Sequence, residues 1–172
     1  ANRVAFDRER GRFRNFMSFE RRWLEEVGSE DCQGHALWAL GLCVSQAGQG
    51  SFQMLAAQLF EQALPVAAEF ASPRAWAFTL IGIDEYLRRF GGDRRTNHIR
   101  DALTARLMQS YADTATEDWH WFEEVVSYAN AKLPHALILS GRSLNAAPML
   151  ATGLTALRWL VQVQTSGTGA FR

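Results

Sequence analysis

The densest run of chemistry-bearing side chains lies between Glu117 and Asn130. It holds Glu117, Asp118, His120, Glu123 and Glu124 among Trp119, Trp121, Phe122 and Tyr128. Carboxylates beside indoles suit sugars: indole faces stack on the apolar faces of sugar rings, and carboxylates and amides hold the hydroxyls. Glycoside cleavage needs two carboxyl groups, one acid and one base or nucleophile, about 5 to 9.5 Å apart. Glu123 and Glu124 are the candidates, with Asp31 as a third. If the segment is helical, His120 lies beside both glutamates at i+3 and i+4. A tryptophan neighbour raises a buried glutamate toward the working range of an acid. The same cluster also suits a non-catalytic loop that orients or contacts a ligand.

Other chemistries find less support. Cys32 and Cys43 are the only cysteines, and their spacing makes neither CxxC nor a zinc site. They are expected to be free, reduced and buried. The four histidines form no HxxH or HExxH, so no metal is expected, and His98 and His135 stand alone. There is no GxSxG elbow for a serine nucleophile. No GxxxxGK appears, and no GxGxxG follows a strand, which argues against a nucleotide fold within this chain and against a cofactor.

These residues need elements to hold them. Ser29 or Asp31 can cap a helix whose run from Ala36 to Val44 is apolar on every side, so protein must surround it. The stretch Ala47 to Ser51 breaks it. Phe52, Leu55, Ala56, Leu59, Phe60, Ala63, Leu64 and Ala67 then recur at helical spacing, predicting a one-sided helix, with Pro65 kinking or dividing it. Ser72-Pro73 starts a second all-apolar helix through Trp76 and Phe78, stopped at Gly91-Gly92. Asp93 or Thr96 opens another one-sided helix around Ile99, Leu103 and Leu107. A short apolar helix from about Asn130 or Pro134 ends at Gly141, and a last one runs from about Ala146 to Val163. Trp38, Trp76 and Trp159 are expected in the core.

All-apolar helices thus alternate with one-sided ones, each pair reading as an antiparallel hairpin with an inner and an outer member. Strand signals are nearly absent, so the class is all-α. The segment 1–28 reads as an irregular or extended entry whose aromatics dock on the core, with about three hairpins over 29–172. Arginines and aromatics interleave in it, a pattern that also binds single-stranded nucleic acid.

At 172 residues the chain has the length of about one domain. Eighteen basic and eighteen acidic residues cancel, so no whole-chain field favours nucleic acid or an acidic membrane. Lys132 is the only lysine; arginine's planar fork suits hydroxyl-rich or anionic ligands. The most apolar stretch, Ala75 to Ile83, falls far short of the ~20 residues that span a bilayer. With no apolar segment at the amino terminus and two thiols, a cytoplasmic protein is expected.

Two stretches carry a family resemblance. SEDCQGHALWALG, from Ser29 to Gly41, resembles an S-x-D-x-x-G-[RH]-A-L-W-A-L-G pattern, with His35 where arginine is frequent. EDWHWFEEVVSYANAKLPHALI resembles W-x-W-F-E-x-x-x-x-Y-x-N-A-x-L-P-x-A-L. Together they look like the (α/α) toroid regions fused to, or encoded beside, bacterial glycosyltransferases, a group similar to six-hairpin glycosidases and sugar epimerases. The resemblance implies about half of an (α/α)6 barrel, hence a fragment of a longer protein, since a full toroid has six hairpins. It implies a saccharide or sugar-containing ligand in a cavity lined by Asp31, His35, Trp119, His120, Trp121, Glu123, Glu124, Tyr128 and Asn130. Half a toroid exposes inner-helix faces, so a homodimer, aggregation, or the remainder of a longer chain is expected to cover them. The alternative is a non-enzymatic helical scaffold that presents a groove to a protein partner, with Trp119 and Trp121 packed inward.

Overall fold

The computed structural model describes residues 4–46, 48 and 50–169. The expected break from Ala47 to Ser51 falls partly outside that set, as do Arg3 and the last three residues. The chain forms two compact units, Ala1–Leu103 and Thr104–Arg172.

The first unit opens with a small antiparallel hairpin, β1 (Phe6–Asp7) and β2 (Arg12–Phe13), with Phe6 opposite Phe13. The all-α class holds, with this short hairpin as its one sheet among the described residues, in the segment read as irregular or extended; the Asp7 carboxylate collects the Glu9 and Arg10 amides and closes its turn. Four helices follow: α1 (Glu30–Gln46), α2 (Gly50–Ala63), α3 (Pro73–Phe90) and α4 (Arg94–Thr114), the last continuing into the second unit. The hairpin docks on α1 through the Gln33 amide. That amide accepts from the Phe13 N–H at 2.9 Å and donates to the Phe13 carbonyl at 2.6 Å, acting as a third strand partner in the buried interior.

Ser29 is the cap of α1, its hydroxyl accepting from the Cys32 amide. Asp31 sits in the first turn instead, where its charge complements the helix dipole. Pro65 divides the second helical stretch as expected: α2 stops at Ala63 and a 3-10 turn covers Leu64–Glu69. Ser72 caps α3 ahead of its first-turn proline.

Helices α1 and α3 pack side by side and run parallel. Gly34 meets Ala75 and Phe78, Gly41 meets Gly82, and Ser45 meets Glu85, so partners advance together along both helices. Glycine is required at this crossing, since a Cβ on Gly41 would fall 2.2 Å from the Gly82 carbonyl oxygen. Helix α3 is buried almost all round, from Arg74 to Tyr86. Helix α1 is not: His35, Ala39 and Cys43 form an exposed stripe. A short connection returns the chain as α2, making an antiparallel hairpin with α1. The expected inward face of α2 begins only at Ala56; Phe52 and Leu55, with Met54, are exposed.

The second unit contains the end of α4, an irregular segment over 115–131, and the antiparallel pair α5 (Lys132–Ser143) and α6 (Ala147–Gln164). Gly141 does not stop α5. It lies inside the helix because α6 approaches there, a Cβ falling 2.7 Å from the Leu150 nitrogen. The stop is Asn145, at φ 53°, with the Ala146 N–H donating to the Gly141 carbonyl and the Asn145 N–H to that of Arg142. That is a Schellman end with asparagine in the left-handed position.

Candidate functional site

The predicted site residues fall into two groups, one in each unit. In the second unit, the tryptophan–glutamate segment is loop-like, so the i+3 and i+4 relation of His120 to Glu123 and Glu124, which required a helix, does not arise. Indole donors shape it instead. The Trp119 Nε1–H donates to the Glu123 carbonyl at 2.8 Å, and the Trp159 Nε1–H to the Asp118 carbonyl at 3.0 Å. The Ser110 hydroxyl donates to the Phe122 carbonyl from α4. Trp159 stands edge-on to Trp119 at 4.8 Å between ring centres and stacks on Trp121 at 5.6 Å. Trp121 is fully buried, and its indole nitrogen has no hydrogen-bond partner among the described residues. Asn130 is buried too, its side-chain oxygen accepting from the Ser127 amide. Glu124 and Tyr128 face outward, while His120 and Glu123 are half-buried. The aromatic part of the segment is therefore spent on packing, and its polar edge is what meets solvent.

In the first unit, Asp31, His35 and Trp38 share the outward side of α1 near its start. The His35 Nδ1 lies 2.8 Å from the Asp31 carbonyl oxygen and 3.6 Å from the Asp31 carboxylate. The nearer atom only accepts, which assigns the neutral ring's proton to Nδ1 and leaves Nε2 an acceptor. Phe78 of α3 supports the group from below. Its ring centre is 3.8 Å from that of His35 and 5.9 Å from that of Trp38, to which it is nearly parallel. The result is a half-exposed aromatic plateau with a carboxylate and an imidazole at its margin. Glu30 fixes the helix ends beneath it, its carboxylate accepting from the Ala71 and Ser72 amides ahead of α3.

Burial pushes the Cys32 thiol up, with Glu25 and Asp31 adding to the effect, so it is protonated at neutral pH and is no nucleophile. Cys43 is exposed rather than buried, and Trp38 and Trp76 are half-buried where core positions were expected. Trp159 is buried.

Sequence reading passed over two buried acids, Asp84 and Glu85 of α3. Arg88 bridges them, and the Ser45 hydroxyl donates to Glu85 at 2.6 Å. Their signal was present: an acidic pair closing an otherwise apolar run must be paired in the interior. Among the described residues, no three His, Cys, Asp or Glu side chains are placed to hold a metal ion, and no helix is long and apolar enough to cross a membrane. No protein-family model matches the chain, and neither the curated proteins nor the solved structures contain a match to it.

Proposed function

We propose that the chain is the helical-hairpin part of an (α/α) toroid and that it binds a saccharide, with the Asp31–His35–Trp38 surface as its principal contact. One observation carries the reading: a half-exposed indole, nearly parallel to a supporting phenyl ring, stands beside an imidazole acceptor and a carboxylate. A sugar ring needs that combination, an apolar face for its C–H side and acceptors for its hydroxyls. The parallel neighbours α1 and α3 support the architecture, because successive inner helices of a toroid run side by side in one direction. His120, Glu123, Glu124 and Tyr128, the polar edge of the second unit's loop, are assigned to ligand contact under the same reading. The reading is one of binding; no step of glycosyl chemistry is assigned to these residues.

The test is a thermal-shift and NMR titration against mono- and oligosaccharides. A ligand at 100 times its dissociation constant stabilises by about 2.7 kcal/mol. Trp38→Ala removes the shift if the plateau is the contact. No response to any saccharide defeats the reading.

A protein-binding scaffold is the second reading. It is favoured by the inward packing of Trp119 and Trp121 and by the exposed Phe52, Met54 and Leu55 on α2. Substituting those three α2 residues by serine then abolishes partner capture and leaves saccharide titrations unchanged.

A further inference from the structure

Between α1 and the small hairpin, residues 16–24 fold into a second tight hairpin, with Met17 bridged to Trp23. Its loop is Phe19–Glu20–Arg21. The Arg21 N–H donates to the Ser18 carbonyl at 2.9 Å, and the Ser18 N–H to the Arg22 carbonyl at 2.8 Å. Arg21 closes the loop at φ 61°, the left-handed position that follows a three-residue turn and that glycine fills without steric cost. A side chain there works against folding. Arginine is a poor choice for the turn, so its presence needs a reason outside the turn.

The surroundings supply one. Arg21 lines an open cleft of about 450 Å³ with Arg10, Arg14, Arg22, Trp23 and Glu26. Three of the four guanidinium groups are already engaged. Arg10 pairs with Asp7 and Glu26, Arg14 with Asp7, and Arg22 with Glu20. Arg21 has no partner among the described residues. Trp23 is half-buried in the same wall, with the Arg14 guanidinium 5.9 Å from its ring centre. An uncommitted guanidinium fork in a cleft that an indole also lines matches a phosphate group attached to a ring.

We propose that this cleft binds a small phosphorylated ligand of monosaccharide size, its phosphate on Arg21 and its ring against Trp23. Glu25 and Glu26 also line the cleft. They tolerate one phosphate and repel the successive charges of a nucleic-acid strand, which separates this site from the nucleic-acid reading of the basic, aromatic segment. The inference stands on residues 7–26 alone and is independent of the saccharide surface on α1.

The experiment is calorimetric titration of the whole chain with glucose 6-phosphate, inorganic phosphate, glucose and a ten-residue oligothymidylate, repeated on Arg21→Gly. The expected order has glucose 6-phosphate at least tenfold tighter than inorganic phosphate, with glucose silent in this cleft by chemical-shift mapping of Trp23. Arg21→Gly should lose at least tenfold in phosphate affinity while melting at the same or a higher temperature, an outcome that a merely structural arginine would not give. The proposal is overturned if neither phosphate compound binds, if Arg21→Gly binds as tightly as the parent or unfolds, or if the oligonucleotide binds tenfold tighter than the sugar phosphate.

Discussion

Gly41→Ala tests the seam on which the first unit depends. The added methyl would sit 2.2 Å from the Gly82 carbonyl oxygen, 2.8 Å from its carbon and 2.9 Å from its Cα. All three are backbone atoms, so no rotamer change relieves the contact. Ordinary carbon–oxygen contact needs roughly 3.2 Å, and α1 and α3 must therefore separate by about 1 Å. A gap of that size forfeits a quarter to a half of each dispersion contact along the seam, and forced overpacking costs about 1–3 kcal/mol by itself. Alanine returns about 1 kcal/mol through helix propensity. The net expectation is a loss of about 2–3 kcal/mol, or roughly 5–10 °C in melting temperature for a chain of this size. Circular dichroism melts and urea titrations read it directly. Gly92→Ala is the control, since a Cβ there meets nothing within 4 Å. Gly82→Ala clashes with the Leu37 carbonyl at 2.5 Å, so the double variant should cost less than the sum: once parted, the helices accommodate both methyls. A Gly41→Ala chain that melts with or above the parent refutes the parallel glycine seam.

Glu30→Ala strips the acceptor from the Ala71 and Ser72 amides and should cost about 1–3 kcal/mol, read by urea midpoint; an unchanged midpoint removes Glu30 as the tie between the starts of α1 and α3. Tyr86 is buried, and burial, then Glu61 and Asp93, pushes its hydroxyl well above the usual tyrosine range. The folded state therefore holds that proton more tightly than the unfolded chain. The stability this contributes is complete below about pH 10 and falls as pH rises further, and Tyr86→Phe should flatten that alkaline slope in pH-dependent melts. Burial raises the Asp93 carboxyl, but the Thr96 hydroxyl and the Thr96 and Arg95 amides outweigh it and hold the group below the ordinary range. Its contribution is present above about pH 4 and lost as pH falls below that, so Asp93→Asn should reduce stability at pH 7 and leave it nearly unchanged at pH 2.

Particular residues show where the sequence was legible. Ser72-Pro73 and Gly91-Gly92 bracketed α3 correctly, and Pro65 divided the second helix, because caps and proline act through bonds within a few residues. Gly141 misled: as a helix breaker it reads as a stop, yet the close approach of α6 made it an interior position and moved the stop to Asn145. Phe52 and Leu55 shared a helical stripe with Ala56 and Phe60, but only the latter two are buried. The site divides the same way. Trp119, Trp121, Glu123 and Glu124 were visible as a sugar-type cluster, but indole-to-carbonyl bonds turned the rings into the packing and left the polar edge outside. Asp31 and His35 were each singled out in the sequence, but their pairing and the support of Phe78 from another helix were not.

The sequence by itself determined the helical class, most helix ends and the all-apolar character of the third helix, since periodicity and capping are short-range and each residue carries its own preference. Tertiary structure decided which glycine is a crossing and which a stop, which apolar stripe is covered, and which tryptophans are fully packed inside. Those outcomes depend on what lies within a few ångströms in space, and chain neighbours carry little information about partners forty residues away.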